Sequence, residues 1–111
     1  MSDCIFCKIA AGQIPCRKVY EDDEVLAFHD INPVAPVHFM IVPKAHVDSL
    51  SECDDSHRGV LGKILLLAPK LASEQGLKDG FRTVINTGRG GGQEVFHLHV
   101  HIIGGSGPRP L

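Results

Sequence analysis

The chain has 111 residues, of which 43% are hydrophobic and 22% are charged, and its formal net charge is −2. A chain of this length is predicted to form one domain with a modest hydrophobic core. The weak negative charge, without any run rich in lysine or arginine, excludes a general electrostatic attraction to nucleic acid or to an anionic membrane surface.

The distribution of apolar residues along the chain predicts where the protein is located in the cell. The longest apolar run, residues 64–68, is far shorter than the roughly 20 residues that a membrane span needs. The first residues lack the basic and then apolar pattern of a signal peptide, so we expect a cytoplasmic protein that does not bind membranes. In that compartment the four cysteines are expected to be thiols or metal ligands rather than disulfides.

Two of these cysteines form a short motif. Cys4 and Cys7 make a C-x-x-C pair, which fits half of a zinc site, a redox pair or two small buried residues. Cys16 and Cys53 have no partner at a recognisable spacing, so we expect them to have no role.

Hydrophobic periodicity and turn residues predict an antiparallel α+β domain. In chain order the predicted elements are a short helix over 4–11, a hairpin of strands 18–20 and 24–29, a buried strand over 38–43, a long helix from 54–56 to about 75, and strands over 81–86 and 95–103. Asp3 is expected to cap the first helix, and Gly76 to end the second. Pro69 lies deep in the long helix, which predicts either a kink near 65–69 or a later helix start.

Three of the seven histidines alternate with apolar residues in the last predicted strand. The two-residue period of a strand would place His97, His99 and His101 on one face. A neutral imidazole is a good metal ligand and a good nucleophile toward phosphorus, so the alternation alone leaves both chemistries open. The preceding glycine-rich run 88–92 favours phosphate because its backbone amides can cradle an anion, although it matches neither a P-loop nor a dinucleotide-binding fingerprint.

The alternation of histidine and apolar residues from His97 to Ile102 resembles the signature of the histidine triad (HIT) family. The resemblance is to the HINT branch and extends over roughly residues 3–105, including the segments 4–9, 28–31, 36–38, 42–46, 92–93 and 104–105 together with Asn86. It implies a single HIT domain over 1–111 with an antiparallel sheet of about five strands, one long helix, one short helix and a flexible C-terminal tail over about 106–111. It also implies a homodimer.

The resemblance implies a nucleotidyl hydrolase or transferase that acts on purine nucleoside phosphoramidates, in which adenosine 5′-monophosphate (AMP) is linked to an amine. His99 would attack the α-phosphorus and form a covalent nucleotidyl-histidine intermediate. His101 would contact the phosphate oxygens, and His38 would orient the catalytic group.

The same resemblance implies a nucleotide-binding set. The positions that match it are Ile5, Phe6, Ile9, Phe28, Asp30, Ile31, Asn86, Gly92, Gln93, Glu94, His99 and His101. The apolar members would form walls around the base, and Asp30 would hold the ribose hydroxyls. Asn86, Gln93 and the backbone near Glu94 would donate hydrogen bonds to the phosphate.

A structural zinc ion is also implied. Some family members hold zinc with a set that matches Cys4, Cys7, His46 and His97, and four protein ligands leave no open position for catalysis. No organic cofactor is expected.

Glu94 departs from the family pattern, which often has serine or threonine after the glycine and glutamine. A carboxylate beside a phosphoryl centre repels negative charge unless it points away or receives an amine leaving group. His29 is expected to face away from the site.

Two alternative functions stay open for this sequence. One is a dinucleoside polyphosphate hydrolase, and the other is a non-enzymatic, zinc-stabilised nucleotide-binding module.

Overall fold

The computed structural model describes residues 3–106. In this part of the chain the elements are α1 (Ile5–Ala10), β1 (Lys18–Glu21), β2 (Val25–His29), β3 (Val37–Pro43), α2 (Arg58–Glu74), β4 (Arg82–Val84) and β5 (Val100–Gly104). The strands form one sheet in the order β1-β2-β3-β5-β4, and every neighbouring pair is antiparallel. The predicted α+β fold with one short and one long helix is therefore confirmed. Of the predicted C-terminal tail, residues 107–111 lie outside the described residues.

One face of the sheet packs against α2. Successive side chains of a strand point to opposite faces, so alternate residues of β2, β3 and β5 form this layer. The buried cluster consists of Val25, Ala27, Phe39, Ile41, Val100 and Ile102 from the sheet, Ile64, Ala68, Leu71 and Ala72 from α2, and Leu77. The main hydrophobic core lies here, between the sheet and the long helix. Neither α1 nor α2 is long and apolar enough to cross a membrane.

The other face of the sheet lies under α1. Phe6 of α1 packs there with the alternate residues Leu26, Phe28, Met40 and Val42. His101 pairs with Met40 in the register of β3 and β5, and His38 lies two residues from Met40 on the same strand. Both histidines therefore belong to the α1 face, while the opposite face carries the core.

Both helices begin differently from the prediction. The N-cap of α1 is Cys4 rather than Asp3, because the Cys4 Sγ accepts a hydrogen bond from the Cys7 amide at 3.3 Å. The side chain of Asp54 caps a 3-10 turn, and α2 begins only after it. The helix then continues through Pro69, an exposed residue of α2, where water can satisfy the carbonyl that proline leaves without a donor.

The predicted strand over 95–103 was wrong in its first half, because β5 starts at Val100. Two hydrogen bonds join the preceding residues to the last residue of β3 and to the loop that follows it. The Leu98 amide donates to the Val47 carbonyl at 2.8 Å, and the His97 ring lies 2.8 Å from the Pro43 carbonyl. The three triad histidines are consequently not a row on one strand. The neighbouring strand β4 is also shorter than predicted, since it covers only three residues.

Candidate active site and metal centre

A cavity of about 970 Å³ opens on the α1 face of the sheet. That volume lies at the upper end of the range for small-molecule sites. Eleven of the twelve residues that the sequence assigns to nucleotide binding line it, namely Ile5, Phe6, Ile9, Phe28, Asp30, Ile31, Asn86, Gly92, Glu94, His99 and His101. The walls are apolar near α1 and polar near the histidines, which suits a ligand with an aromatic and a phosphorylated end.

His99 is fixed at the wall of this cavity. Its Nδ1 lies 2.7 Å from the backbone carbonyl of His97, and since a carbonyl only accepts, Nδ1 carries the proton. The rings of Phe6 and His99 are nearly perpendicular, with their centroids 5.1 Å apart. The other ring nitrogen, Nε2, therefore keeps its lone pair, as expected of a nucleophile.

His101 takes its tautomer from His38. The Val34 amide donates to the Nδ1 of His38 at 3.2 Å, so the proton of a neutral His38 ring is on Nε2. That Nε2 lies 2.9 Å from the Nδ1 of His101 and 3.3 Å from a carboxylate oxygen of Asp30. His101 accepts at Nδ1 and keeps a proton on Nε2, where it is available to donate to a ligand.

Burial keeps both of these rings neutral. Desolvation, helped by His99 and His38, lowers the pKa of His101 to about 4, although Asp30 acts in the opposite direction. Desolvation also lowers the pKa of His38, again against the attraction of Asp30. At neutral pH the site therefore offers neutral imidazole donors rather than imidazolium cations.

The glycine-rich segment before the triad has a fixed shape. Gly88 and Gly92 adopt positive φ angles of 71° and 83°, which favour glycine. The Gln93 side chain is buried; its oxygen accepts from the Gly88 amide at 2.8 Å, and its nitrogen donates to the carbonyls of Asp48 at 2.7 Å and Val95 at 3.0 Å. All of its donors are used, so the prediction that Gln93 donates to phosphate was wrong.

Gln93 instead anchors the loop that carries Glu94. The Glu94 side chain is exposed and lines the cavity. Within residues 3–106, no lysine, arginine or histidine nitrogen lies within ion-pair distance of its carboxylate. A carboxylate without an ion-pair partner among the described residues therefore lines the cavity.

The structure also brings together Cys4, Cys7, His46 and His97, whose ligand atoms all lie within 4.8 Å of one another. The Nδ1 of His97 is 3.3 Å from the Sγ of Cys4 and 3.5 Å from the Sγ of Cys7. The Nδ1 of His46 is 3.2 Å from the Sγ of Cys7. Tetrahedral zinc with ordinary bond lengths would separate sulfur and nitrogen ligands by about 3.6 Å, so the four residues fit the ion with small adjustments.

The outer hydrogen bonds of this cluster also suit a metal. The Nε2 of His97 faces the Pro43 carbonyl, and the Nε2 of His46 lies 2.6 Å from a carboxylate oxygen of Asp48. Each ring therefore carries its proton on Nε2 and turns an unprotonated Nδ1 toward the two sulfurs. This is the arrangement that metal-ligating histidines adopt.

A second set with metal-ligand chemistry, Asp30, His38 and His101, is better described as a hydrogen-bond chain. A metal on the Nε2 of His38 would move its proton to Nδ1, where the Val34 amide already donates. Two donors would then face each other, so the backbone disfavours a cation here.

Sequence reasoning missed part of the cavity. His29, which was expected to face away, lines it together with Cys16, Arg17 and Met40. Cys16 and Arg17 precede β1, and only the pairing of β1 with β2 brings them to the site. No spacing signal in the sequence could have revealed them.

Comparison with known proteins identifies the family. The model of the HIT domain matches residues 11–107, and the chain belongs to this family, as predicted. The chain is 58% identical to a protein named HitA of Neisseria gonorrhoeae over 104 residues, which are 94% of this chain and 97% of HitA. It is 47% identical to a 14 kDa zinc-binding protein of Zea mays over 106 residues, covering 94% of this chain and 83% of that protein. A HIT family hydrolase from Legionella pneumophila has the same fold, with a TM-score of 0.92, 47% identity and 95% coverage of both chains.

The protonation of His101 is testable. We expect its ring to stay neutral down to about pH 4, because burial and the neighbouring histidines oppose its charge. The unfolded chain takes up this proton near the ordinary pKa of 6.5, so acidification from there toward pH 4 lowers the free energy of unfolding. Titration of the ¹⁵N-labelled imidazole by NMR measures the midpoint, and a value near 6.5 would contradict the expectation.

The same spectra test the role of His38. The His38→Ala variant removes the donor to the Nδ1 of His101, so the His101 ring should change from the single Nε2–H tautomer to a mixture. An unchanged tautomer would show that His38 does not position His101.

Proposed function

We propose that this chain is a hydrolase that cleaves purine nucleoside phosphoramidates through a covalent nucleotidyl-histidine intermediate on His99. The observation that carries the proposal is the hydrogen bond from the Nδ1 of His99 to the His97 carbonyl, at the wall of the cavity. In the neutral ring this hydrogen bond keeps the proton on Nδ1, so the lone pair of Nε2 can attack phosphorus without prior deprotonation of that nitrogen. The similarity to the Legionella protein, a HIT family hydrolase, supports the reaction class.

The reaction follows from these tautomers. The Nε2 lone pair of His99 forms a bond to the α-phosphorus, and the phosphorus–nitrogen bond of the substrate breaks. The amine leaves with that electron pair and takes a proton from solvent. Water then attacks the phosphorus and gives up a proton to solvent, the bond to Nε2 breaks with its electron pair returning to His99, and the nucleoside monophosphate leaves.

The other groups of the cavity bind the nucleotide. The Nε2–H of His101 and the side-chain amide of Asn86 would donate to the phosphate oxygens, which stabilises negative charge as it develops. Asp30 would accept from the ribose hydroxyls. The aliphatic and phenylalanine walls favour a purine without reading its edge closely.

We propose that Cys4, Cys7, His46 and His97 hold a structural zinc ion. The distances among their ligand atoms support this assignment, as does the name of the Zea mays relative. Four protein ligands fill a tetrahedral shell, so the ion would have no open position for substrate. We further propose that the chain works as one HIT domain in a reducing compartment such as the cytosol, where the thiols stay reduced.

The nucleophile is tested by His99→Ala. We expect this variant to lose release of AMP from an adenosine phosphoramidate by roughly three orders of magnitude or more, because water must then attack the phosphorus directly. The matched control is His57→Ala, which removes a histidine that does not line the cavity. Acid quench and intact-mass measurement of the wild-type protein should also detect the nucleotidyl adduct.

Two results would contradict the assignment. Full turnover by His99→Ala would exclude covalent catalysis at this residue. A wild-type protein that binds AMP but turns over no phosphoramidate or polyphosphate would favour the non-enzymatic binding module instead.

The negative charge of Glu94 favours one of the two proposed substrate classes over the other. Its carboxylate in the lining of the cavity would repel the anionic leaving group of a dinucleoside polyphosphate, and it would tolerate or attract an amine. We therefore place phosphoramidates ahead of polyphosphates.

This preference is tested by Glu94→Gln. The ratio of kcat/KM for a diadenosine polyphosphate to kcat/KM for an adenosine phosphoramidate should rise by about threefold to tenfold, the size of a partly screened charge effect. Glu74→Gln makes the same change at an exposed position on α2 and should leave the ratio unaltered. An unchanged ratio in Glu94→Gln would remove Glu94 from the selection of the leaving group.

We propose that the chain forms a homodimer through α2 and the adjoining sheet edge. Leu66 is 80% exposed in the middle of α2, beside the small residues Gly59 and Gly62 of the same helix face. β4 is a short edge strand of the sheet. An apolar side chain of this size, exposed next to small residues, is the kind of surface that a second copy can cover.

Light scattering after size-exclusion chromatography tests the dimer. The wild-type chain should have the mass of two copies, and Leu66→Glu should shift it to one copy. Leu50→Glu makes the same substitution at another exposed leucine and should leave the mass unchanged. A wild-type monomer, or a Leu66→Glu dimer, would overturn this arrangement.

A further inference from the structure

The short helix α1 belongs to two sites at once. Its N-cap Cys4 and its first-turn residue Cys7 point to the histidines of the metal set. The residues between and after them, Ile5, Phe6 and Ile9, form the apolar wall of the nucleotide cavity. One turn of helix therefore connects the metal ligands directly to the base-binding surface.

α1 has few other attachments. A helix of six residues is not stable in isolation, because the cost of nucleating a helix exceeds what so few hydrogen bonds return. Phe6 is its only buried residue, and it contacts Phe28 and His99 edge to face at centroid distances of 5.5 Å and 5.1 Å. Ile5, which lines the cavity, is 46% exposed. Ile9 and Ala10 are partly buried against the same apolar cluster as Phe6, so α1 is held against the sheet by this small apolar contact and by its two cysteines.

The triad segment, in contrast, has attachments that do not involve the metal. The His97 ring faces the Pro43 carbonyl at 2.8 Å, and the Leu98 amide donates to the Val47 carbonyl at 2.8 Å. His97 is completely buried, and its carbonyl still accepts from His99. The orientation of the nucleophile thus rests on backbone hydrogen bonds, while the position of α1 rests on its small apolar contact and on the two cysteines of the metal set.

We propose that the metal centre positions α1 as the wall of the nucleotide cavity, so that metal occupancy sets nucleotide affinity while the nucleophile stays in place. Cys4 and Cys7 are then positioning residues for nucleotide binding. This inference rests on the proposed function, because it assigns the cavity to a nucleotide. It predicts that loss of the metal acts on Kd and KM and leaves kcat nearly unchanged.

The size of the effect follows from the docked fraction of α1. If α1 is docked about one-tenth of the time without metal, the apparent Kd rises about tenfold. Titration calorimetry with AMP, which is not consumed, measures this Kd on zinc-loaded wild type, on chelator-treated wild type and on Cys7→Ser. Cys53→Ser is the matched control, because Cys53 lies outside both sites and its Sγ donates to the Ser49 carbonyl.

Hydrogen exchange shows where the structure changes. Amides over 5–10 should exchange faster in Cys7→Ser and after chelation, while amides of α2 keep their protection. Turnover of a phosphoramidate at saturating substrate should stay within about threefold of wild type, with the loss confined to KM. The chelator arm on the unaltered chain keeps the test valid if Cys7→Ser does not fold.

The outcomes separate this inference from the proposed function. Equal Kd values with and without zinc overturn the inference and leave the enzyme assignment intact. Loss of α2 protection on chelation also overturns it, because the metal would then hold the whole fold rather than one wall. Absence of AMP binding to the zinc-loaded wild type contradicts the proposed function itself.

Discussion

The ring of His97 is the point on which the rest of the site depends. One ring nitrogen faces the Pro43 carbonyl and the other faces the sulfurs of Cys4 and Cys7, so neither the tautomer nor the orientation is free to change. The backbone of the same residue supplies the carbonyl that orients His99. A single buried residue therefore connects the metal set to the nucleophile, and its complete exclusion from solvent makes these contacts strong.

The main hydrophobic core and the candidate active site lie on opposite faces of the sheet. Its α2 face is filled with buried aliphatic side chains and Phe39, and Tyr20 packs against the cluster while partly buried. Its α1 face carries His38 and His101 beside Met40, with the cavity above them. Substitutions in the cavity can therefore alter the chemistry while the main core stays intact. The two-residue alternation of the strands achieves this division, and the register aligns Met40 with His101 on the same face.

The sequence was sufficient for the class of fold and for most members of the site. The signature from His97 to Ile102 and the C-x-x-C pair are local patterns that can be recognised without knowing the fold. In the structure their residues lie at the cavity and in the cysteine–histidine cluster. The hairpin of β1 and β2 was equally predictable, because turn residues and alternation agree there. Helix α2 was placed correctly except for its first turn, where Asp54 caps a 3-10 turn before the helix.

The failures have a common physical cause, which is contact between residues distant in sequence. The alternation of the triad histidines predicts one continuous strand. Hydrogen bonds to the carbonyls of Pro43 and Val47 instead keep His97 and Leu98 outside β5. Gln93 was expected to donate to phosphate, but its side-chain nitrogen donates instead to the carbonyl of Asp48, 45 residues earlier in the chain. His29 reached the cavity because β2 ends beside it. None of these contacts has a periodic or local signature.

Backbone groups fix the tautomers of three histidines, His38, His97 and His99. Pro43 and His97 supply carbonyls, and Val34 supplies an amide. The side chain at position 34 is thus free to vary in evolution without disturbing the histidine that it supports, since every residue but one provides the same amide. Proline is the exception, because it has no amide hydrogen. This hydrogen bond consequently excludes one residue type at position 34 and requires none.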